Sequence, residues 1–211
     1  MTFRYLSADE VYVRVSRVTE KGVSLLLYKD ARCDMRILDE TVGPDNWQRE
    51  HYECKGNLFC RVGIKTKENG WVWKSDCGTE SNTEEEKGEA SDSFKRACFN
   101  WGIGRELYTS PFIWVSAEDC KIAPGPRGGL ACSTRFKVTY MRVEDGVITA
   151  LNVESVKPNK TVFMFGNCFP EDADVCEVCG EYVQKEIADK CKAANNGHVY
   201  CSGTCKKKVQ A

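Results

Sequence analysis

Residues 47–76 constrain the fold most, because their polarity pattern and turn signals fit an antiparallel meander of three strands. Residues 58–65 alternate: Leu58, Cys60, Val62 and Ile64 fall on one face, and Phe59, Arg61, Gly63 and Lys65 on the other, the period a strand imposes. Trp47–Cys54 enters this segment through Lys55-Gly56-Asn57, and Glu68-Asn69-Gly70 leads on to 71–76. The Asn-Gly pair tolerates the positive φ angles of a tight hairpin and is a strong signal for one. The meander therefore presents one apolar face and one partly basic face.

An apolar sheet face must be covered, and the next segment supplies the cover. Thr83-Glu84-Glu85-Glu86 is a capping box whose three acids complement the helix dipole. Ala90, Phe94, Ala97, Cys98 and Trp101 then follow helical spacing until Gly102 and Gly104 end the helix. An earlier helix is predicted over 31–41, with Met35, Leu38 and Val42 on one side and Gly43-Pro44 as its stop. Further strands are predicted over 112–115, 134–142 and Val147–Ser155, the last two joined at Glu144-Asp145-Gly146. Residues Ala123 to Gly129, rich in Gly and Pro, read as a loop. The fold class is α+β: an antiparallel β-meander packed by a long helix, with a small C-terminal module.

The module is marked off by a stretch of turn formers and acids without periodicity. This gives a core over 1–165, a linker over 166–174 and the module over 175–211. The module holds five of the chain's 13 cysteines. Cys176 and Cys179 form one chelating pair, and Cys201 and Cys205 a second, 21 residues on. Each pair can place two thiolates on one tetrahedral Zn²⁺ at ~2.3 Å. One structural zinc per chain is expected, with Cys191 and His198 as spare candidates. A stretch of 37 residues can hardly fold without such a staple, although four free thiols in a disordered tail is the plainer alternative.

An odd cysteine count and the lack of a charged-then-apolar leader argue for a reducing compartment. No apolar run approaches the ~20 residues a membrane helix needs. A net charge of −1 excludes a generic polycation, so any phosphate binding must come from a local basic stripe. Lys95 and Arg96, with Lys87 two turns earlier, stand away from the helix's apolar side. Spacing alone allows a solvated face, with Asp92 and Arg96 as an i,i+4 pair. Arg61 and Lys65 likewise suit either phosphate contact or a solvated sheet face. Trp71 and Trp73 point the same way and read as core aromatics rather than base-stacking groups, and Arg127 belongs to a mobile loop.

Several of these segments together resemble a known family. They are Leu38-Asp39-Glu40, Val42-Gly43-Pro44, Asn46-Trp47, the hairpin, Asp76-Cys77-Gly78-Thr79-Glu80-Ser81 and above all Ala90-Ser91-Asp92-Ser93-Phe94-Lys95-Arg96-Ala97-Cys98-Phe99-Asn100-Trp101-Gly102. The family is the radiation-sensitive-fifty-two (Rad-fifty-two) recombination family, and the likeness is greatest to its phage Sak-type single-strand annealing proteins. It covers residues 25–115 well and the strands to about 165 loosely. The resemblance implies a homo-oligomeric ring or arc that binds single-stranded DNA in a basic groove and anneals complementary strands without ATP. It implies that Lys95 and Arg96 contact the DNA backbone, with Lys87 and Arg32 at further basic positions. Phe99 stands where better known members carry an arginine.

The chain lacks a Gly-x-x-x-x-Gly-Lys-Ser/Thr phosphate loop, which agrees with an ATP-independent, non-enzymatic role in recombination or repair, and the resemblance implies a phage or prophage gene and the cytoplasm of a bacterial host cell. A single-strand-binding or replication protein is a further candidate partner. The rival readings are a zinc-containing DNA-binding regulator or adaptor and a zinc-dependent nuclease. With two histidines and no paired acids near the cysteines, the open metal site a nuclease needs is not evident.

Overall fold

Strand β4 (Asn57–Thr66) is hydrogen-bonded on both sides, to β3 (Trp47–Cys54) and to β5 (Gly70–Cys77), all antiparallel. In this computed structural model the described residues are 1–79, 85–126, 128–168, 174–178, 183, 185–201 and 205–206, without the side chains of 85–87 and 185–186. Helix α2 (Glu85–Trp101) lies on the apolar face of the meander. Cys60, Val62 and Ile64 meet Phe94, Ala97 and Cys98, and all six are fully buried. Each larger side chain among them gains ~1.5–3 kcal/mol from leaving water. Trp101 closes the contact by donating its indole N–H to the Val62 carbonyl at 3.0 Å. Positive φ angles at Gly102 and Gly104 end the helix as expected, while the capping box before it, Thr83 and Glu84, lies outside the described residues.

Helix α1 (Ala31–Val42) is capped by Asp30, whose side chain accepts from the Arg32 N–H at 2.7 Å. Ile37 and Leu38 are its buried side. A second sheet has the order β1 (Tyr12–Thr19), β2 (Gly22–Tyr28), β6 (Ile113–Ser116), and a third the order β11 (Lys160–Phe165), β10 (Val147–Ser155), β9 (Phe136–Glu144). Val23, Leu25, Ile113 and Val115 of the second sheet and Ile148, Leu151 and Val153 of the third join one core with the meander and both helices. The architecture is α+β with antiparallel sheets.

The structure adds one hairpin and corrects two expectations. The first hairpin, β1 and β2, has no clear signal in the sequence, because its alternation slips at a bulge between Val15 and Arg17 and its turn carries no Asn-Gly pair. Trp71 and Trp73 are not core residues: Trp71 is 40% exposed, and both lie on the face of the meander away from α2. A Cβ at Gly63 would sit 2.8 Å from the Trp73 ring, so the glycine is what lets this indole lie flat on β4. The Gly/Pro-rich segment is a hairpin of two short strands, β7 (Ile122–Pro124) and β8 (Leu130–Cys132), rather than a plain loop, and Arg127 lies outside the described residues.

The chain divides into two units, Met1–Gly166 and Asn167–Ala211. The second contains α3 (Lys185–Ala194) and a small core of Cys176, Val183, Ala188 and Val199. No helix among the described residues is long and apolar enough to cross a membrane.

Candidate nucleic-acid interface

Lys95 and Arg96 are half-buried on α2, at the edge of a cleft of about 650 Å³ between that helix and strands β1 and β2. Helical geometry puts Phe94, Ala97 and Cys98 into the core and leaves Ser91, Lys95 and Phe99 facing the cleft. Arg14 from β1 and Tyr28 from β2 form the opposite wall, and Tyr108 lies edge-on against Phe99 at 5.1 Å. The predicted Asp92–Arg96 pair is not the one formed. Asp92 accepts instead from the Thr79 backbone N–H and hydroxyl at 3.2 and 3.1 Å, and the carboxylate nearest Arg96 is Asp76, 3.8 Å from its Nε. That Nε has no hydrogen-bond partner, and Lys95 forms no ion pair among the described residues. The pair thus faces the cleft with positive charge that nearby acids offset only weakly.

Beneath the cleft Lys29 and Asp34 form an enclosed ion pair, and the Lys29 ammonium also lies 4.4 Å over the Phe99 ring. Burial pushes the Asp34 carboxyl up to about 6, against the pull of Lys29. Phe99, at the position where the family resemblance implies an arginine, therefore packs over a buried lysine. Part of the missing surface charge is replaced by Arg14, a residue not singled out from sequence, which the alternation Tyr12-Val13-Arg14-Val15 places on the outer side of β1.

The other basic residues singled out from sequence do not join this cleft. Arg32 is held by Asp30, at 2.5 Å between Nη2 and Oδ2, and lines a separate depression with Asp9, Glu10 and Asp30. Arg61 and Lys65 are on the opposite face of the meander from α2. There Arg61 pairs with Glu50 at 2.7 Å and stacks over Trp73 at 4.7 Å, while Lys65 is exposed and registers with Trp71. The backbone of Lys87 belongs to α2, but its side chain is outside the described residues.

In the C-terminal unit the thiols of Cys176, Cys201 and Cys205 all lie within 4.8 Å of one another, and Cys201 and Cys205 are 3.5 Å apart at sulfur. Tetrahedral thiolates on a zinc at 2.3 Å would stand about 3.8 Å apart, so the three sulfurs suit such an ion. Cys179 falls outside the described residues. Neither spare candidate belongs to the cluster. Cys191 Sγ accepts from the Tyr200 backbone N–H and the Asn195 amide, each at 3.2 Å, and His198 Nδ1 is 2.9 Å from Glu177 Oε2.

Residues 4–123, more than half of the chain, match the model of the Rad52/22 family double-strand break repair protein. Two proteins named single-stranded DNA-binding protein DdrA are similar to it. The one from Deinococcus deserti is 34% identical over 107 residues, 47% of this chain and 50% of its own length. The one from Deinococcus radiodurans is 34% identical over 102 residues, 47% of this chain and 48% of its own. The chain thus spans about half the length of these curated relatives. No solved structure gives a significant match.

Proposed function

Because the chain belongs to the Rad52/22 family of double-strand break repair proteins, we propose that it binds single-stranded DNA and anneals complementary strands in recombination or repair, without ATP and without catalysing a covalent step. The observation that carries this reading is the cleft that Lys95, Arg96 and Arg14 line together with Tyr28, Phe99 and Tyr108. Cations that track phosphates and aromatics that accept unstacked bases are what single-strand binding requires. The names of the two DdrA relatives point the same way. Annealing further requires that base edges stay accessible, and a cleft on the surface that holds the backbone meets that condition.

Lys95, Arg96 and Arg14 are the phosphate contacts in this reading, with Lys87 on the same helix as an extension. Arg32 and Arg61, each already paired with a carboxylate, contribute less, and Lys65 belongs to a different face. Copies of the first unit assemble into a ring or arc that joins the clefts into one groove. The C-terminal unit holds one structural zinc through Cys176, Cys201 and Cys205, with Cys179 as fourth ligand.

The test is annealing of complementary oligonucleotides followed by fluorescence quenching, without nucleotide. The expected result is acceleration that scales with strand length and not with sequence. A protein that ignores single strands, or that prefers one duplex sequence, would sink the proposal in favour of a regulator.

A further inference from the structure

The solvent face of the β1–β2–β6 sheet exposes aromatic rings and arginines together. Tyr12 and Tyr28 are cross-strand partners with ring centroids 5.6 Å apart, and Phe112 and Trp114 stack at 6.5 Å with planes 20° apart. All four are exposed, Phe112 to 76%. Between the two pairs lie Arg14, opposite Leu26, and Arg17, opposite Ser24, which on its other side registers with Trp114. Arg17, Ser24 and Trp114 therefore form one row across three strands. The two aromatic pairs stand roughly 13 Å apart along β2, given ~3.3 Å per residue.

A sheet that fills one face with Val23, Leu25, Ile113 and Val115 has no structural need for four exposed aromatics on the other. The Trp114 position is also built in. A Cβ at Gly22 would sit 2.2 Å from the Val115 carbonyl oxygen and 2.8 Å from the Trp114 ring, so the glycine lets the indole rest flat on the sheet edge. Arg14 and Arg17 have no carboxylate partner among the described residues, unlike Arg32 and Arg61, which leaves both guanidinium forks available. Arg14 and Tyr28 also form a wall of the Lys95–Arg96 cleft, so the face and the cleft are continuous.

We infer that this sheet face is a stacking surface for single-stranded DNA that continues the Lys95–Arg96 cleft, with Phe112 and Trp114 receiving bases and Arg14 and Arg17 holding phosphates. The inference rests on the reading that the chain binds single-stranded DNA. Every base offers a π-face, so rings on a sheet accept any sequence, and flanking arginines supply the charge that a purely apolar docking surface would lack. A protein–protein contact draws on the same residue types, Tyr, Trp, Phe and Arg, and it is the continuity with the Lys95–Arg96 cleft that favours DNA here.

The full-length protein is tested with oligothymidine carrying 5-iodouracil, combining photocrosslinking with affinity measured against salt. Adducts are expected on the peptide containing Phe112 and Trp114. Phe112→Leu with Trp114→Leu keeps the apolar bulk and removes the π-faces. It should weaken binding between about five-fold and a hundred-fold and leave the salt slope unchanged, while Arg14→Ala with Arg17→Ala should make the slope shallower by ~0.7 for each phosphate no longer neutralised. Circular dichroism verifies that each variant is folded. If both folded variants bind as wild type with no adducts here, while the Lys95 and Arg96 variant loses binding, this inference fails and single-strand binding stands. If the aromatic variant changes the size of the assembly but not its affinity for DNA, the face is a contact between copies and the inference fails equally. If the wild-type protein binds no single strand at all, the functional reading itself fails and takes this one with it.

Discussion

The Lys29 ammonium donates to Asp34 Oδ1 in an ion pair that has almost no contact with solvent, Lys29 being 2% exposed and Asp34 0%. It joins the end of β2 to the first turn of α1, directly beneath the cleft. The second carboxylate oxygen, Oδ2, has no hydrogen-bond partner, so the pair is not fully satisfied. Asp34→Ala would leave a buried, unpaired ammonium and should cost ~3–5 kcal/mol. Replacing both partners by Lys29→Met and Asp34→Leu should cost clearly less, since no charge is then stranded. Urea unfolding of the two variants decides the matter, and equal losses would mean that packing rather than charge holds this site.

Two buried acids give the first unit an acid response of opposing signs. Arg4, hydrogen-bonded to Glu10, lowers that carboxyl from 4.5 to about 2. Its contribution is therefore present above pH 4.5 and is lost as pH falls from 4.5 toward 2. Burial raises Asp34 from 3.8 to about 6, so its ionisation costs stability above pH 6, and that cost is relieved as pH falls toward 3.8. Thermal melts should rise as pH falls from 6 toward 4.5, where only the Asp34 cost is being relieved, and fall below about 3.8, where only the Glu10 contribution is still being lost. Arg4→Ala should lower stability above pH 4.5 and flatten the fall below it, and an unchanged acid limb would remove Glu10 from the account.

Lys95→Ala with Arg96→Ala should leave folding nearly intact, because neither side chain makes a strong pair. Affinity for single strands should drop about equally for all sequences, and the slope of log affinity against log salt should become shallower by ~0.7 for each phosphate these side chains neutralise. Wild-type affinity and slope in the folded variant would return both residues to the role of a solvated helix face.

Purified protein should carry one equivalent of zinc. Cys176→Ser or Cys201→Ser should abolish it and loosen the second unit, while leaving the melting of Met1–Gly166 unchanged. Cys191→Ser should retain the metal, because that sulfur already accepts hydrogen bonds from Tyr200 and Asn195. Elemental analysis finding no metal in protein never exposed to chelator would refute the site.

Truncation after Gly166 should leave a ring or arc of the first unit. β3 and β5 are edges of the meander, and strand edges are safer paired or covered. Light scattering that finds only monomer at micromolar concentration, with and without DNA, would argue against assembly.

What the sequence determined by itself is local. Alternation in 58–65 and the Asn69-Gly70 turn specify the meander, and the spacing of Phe94, Ala97, Cys98 and Trp101 specifies the side of α2 that covers it, because periods of 2 and 3.6 are written directly in residue order. The same periodicity placed Lys95 and Arg96 outside the core. The tertiary structure decided which basic residues share a surface. Arg14 is 81 residues from Lys95 yet lines the same cleft, whereas Arg61 and Lys65 are closer in sequence and lie across the sheet. It also decided which charges are already paired, as Arg32 is with Asp30 and Arg61 with Glu50, and that Phe99 covers a buried Lys29 rather than leaving a gap in a groove. Hydrophobic burial fixes each element's inner face from its own sequence, but outer faces meet only through the packing of distant elements. A binding surface made of outer faces therefore has no local signature to read.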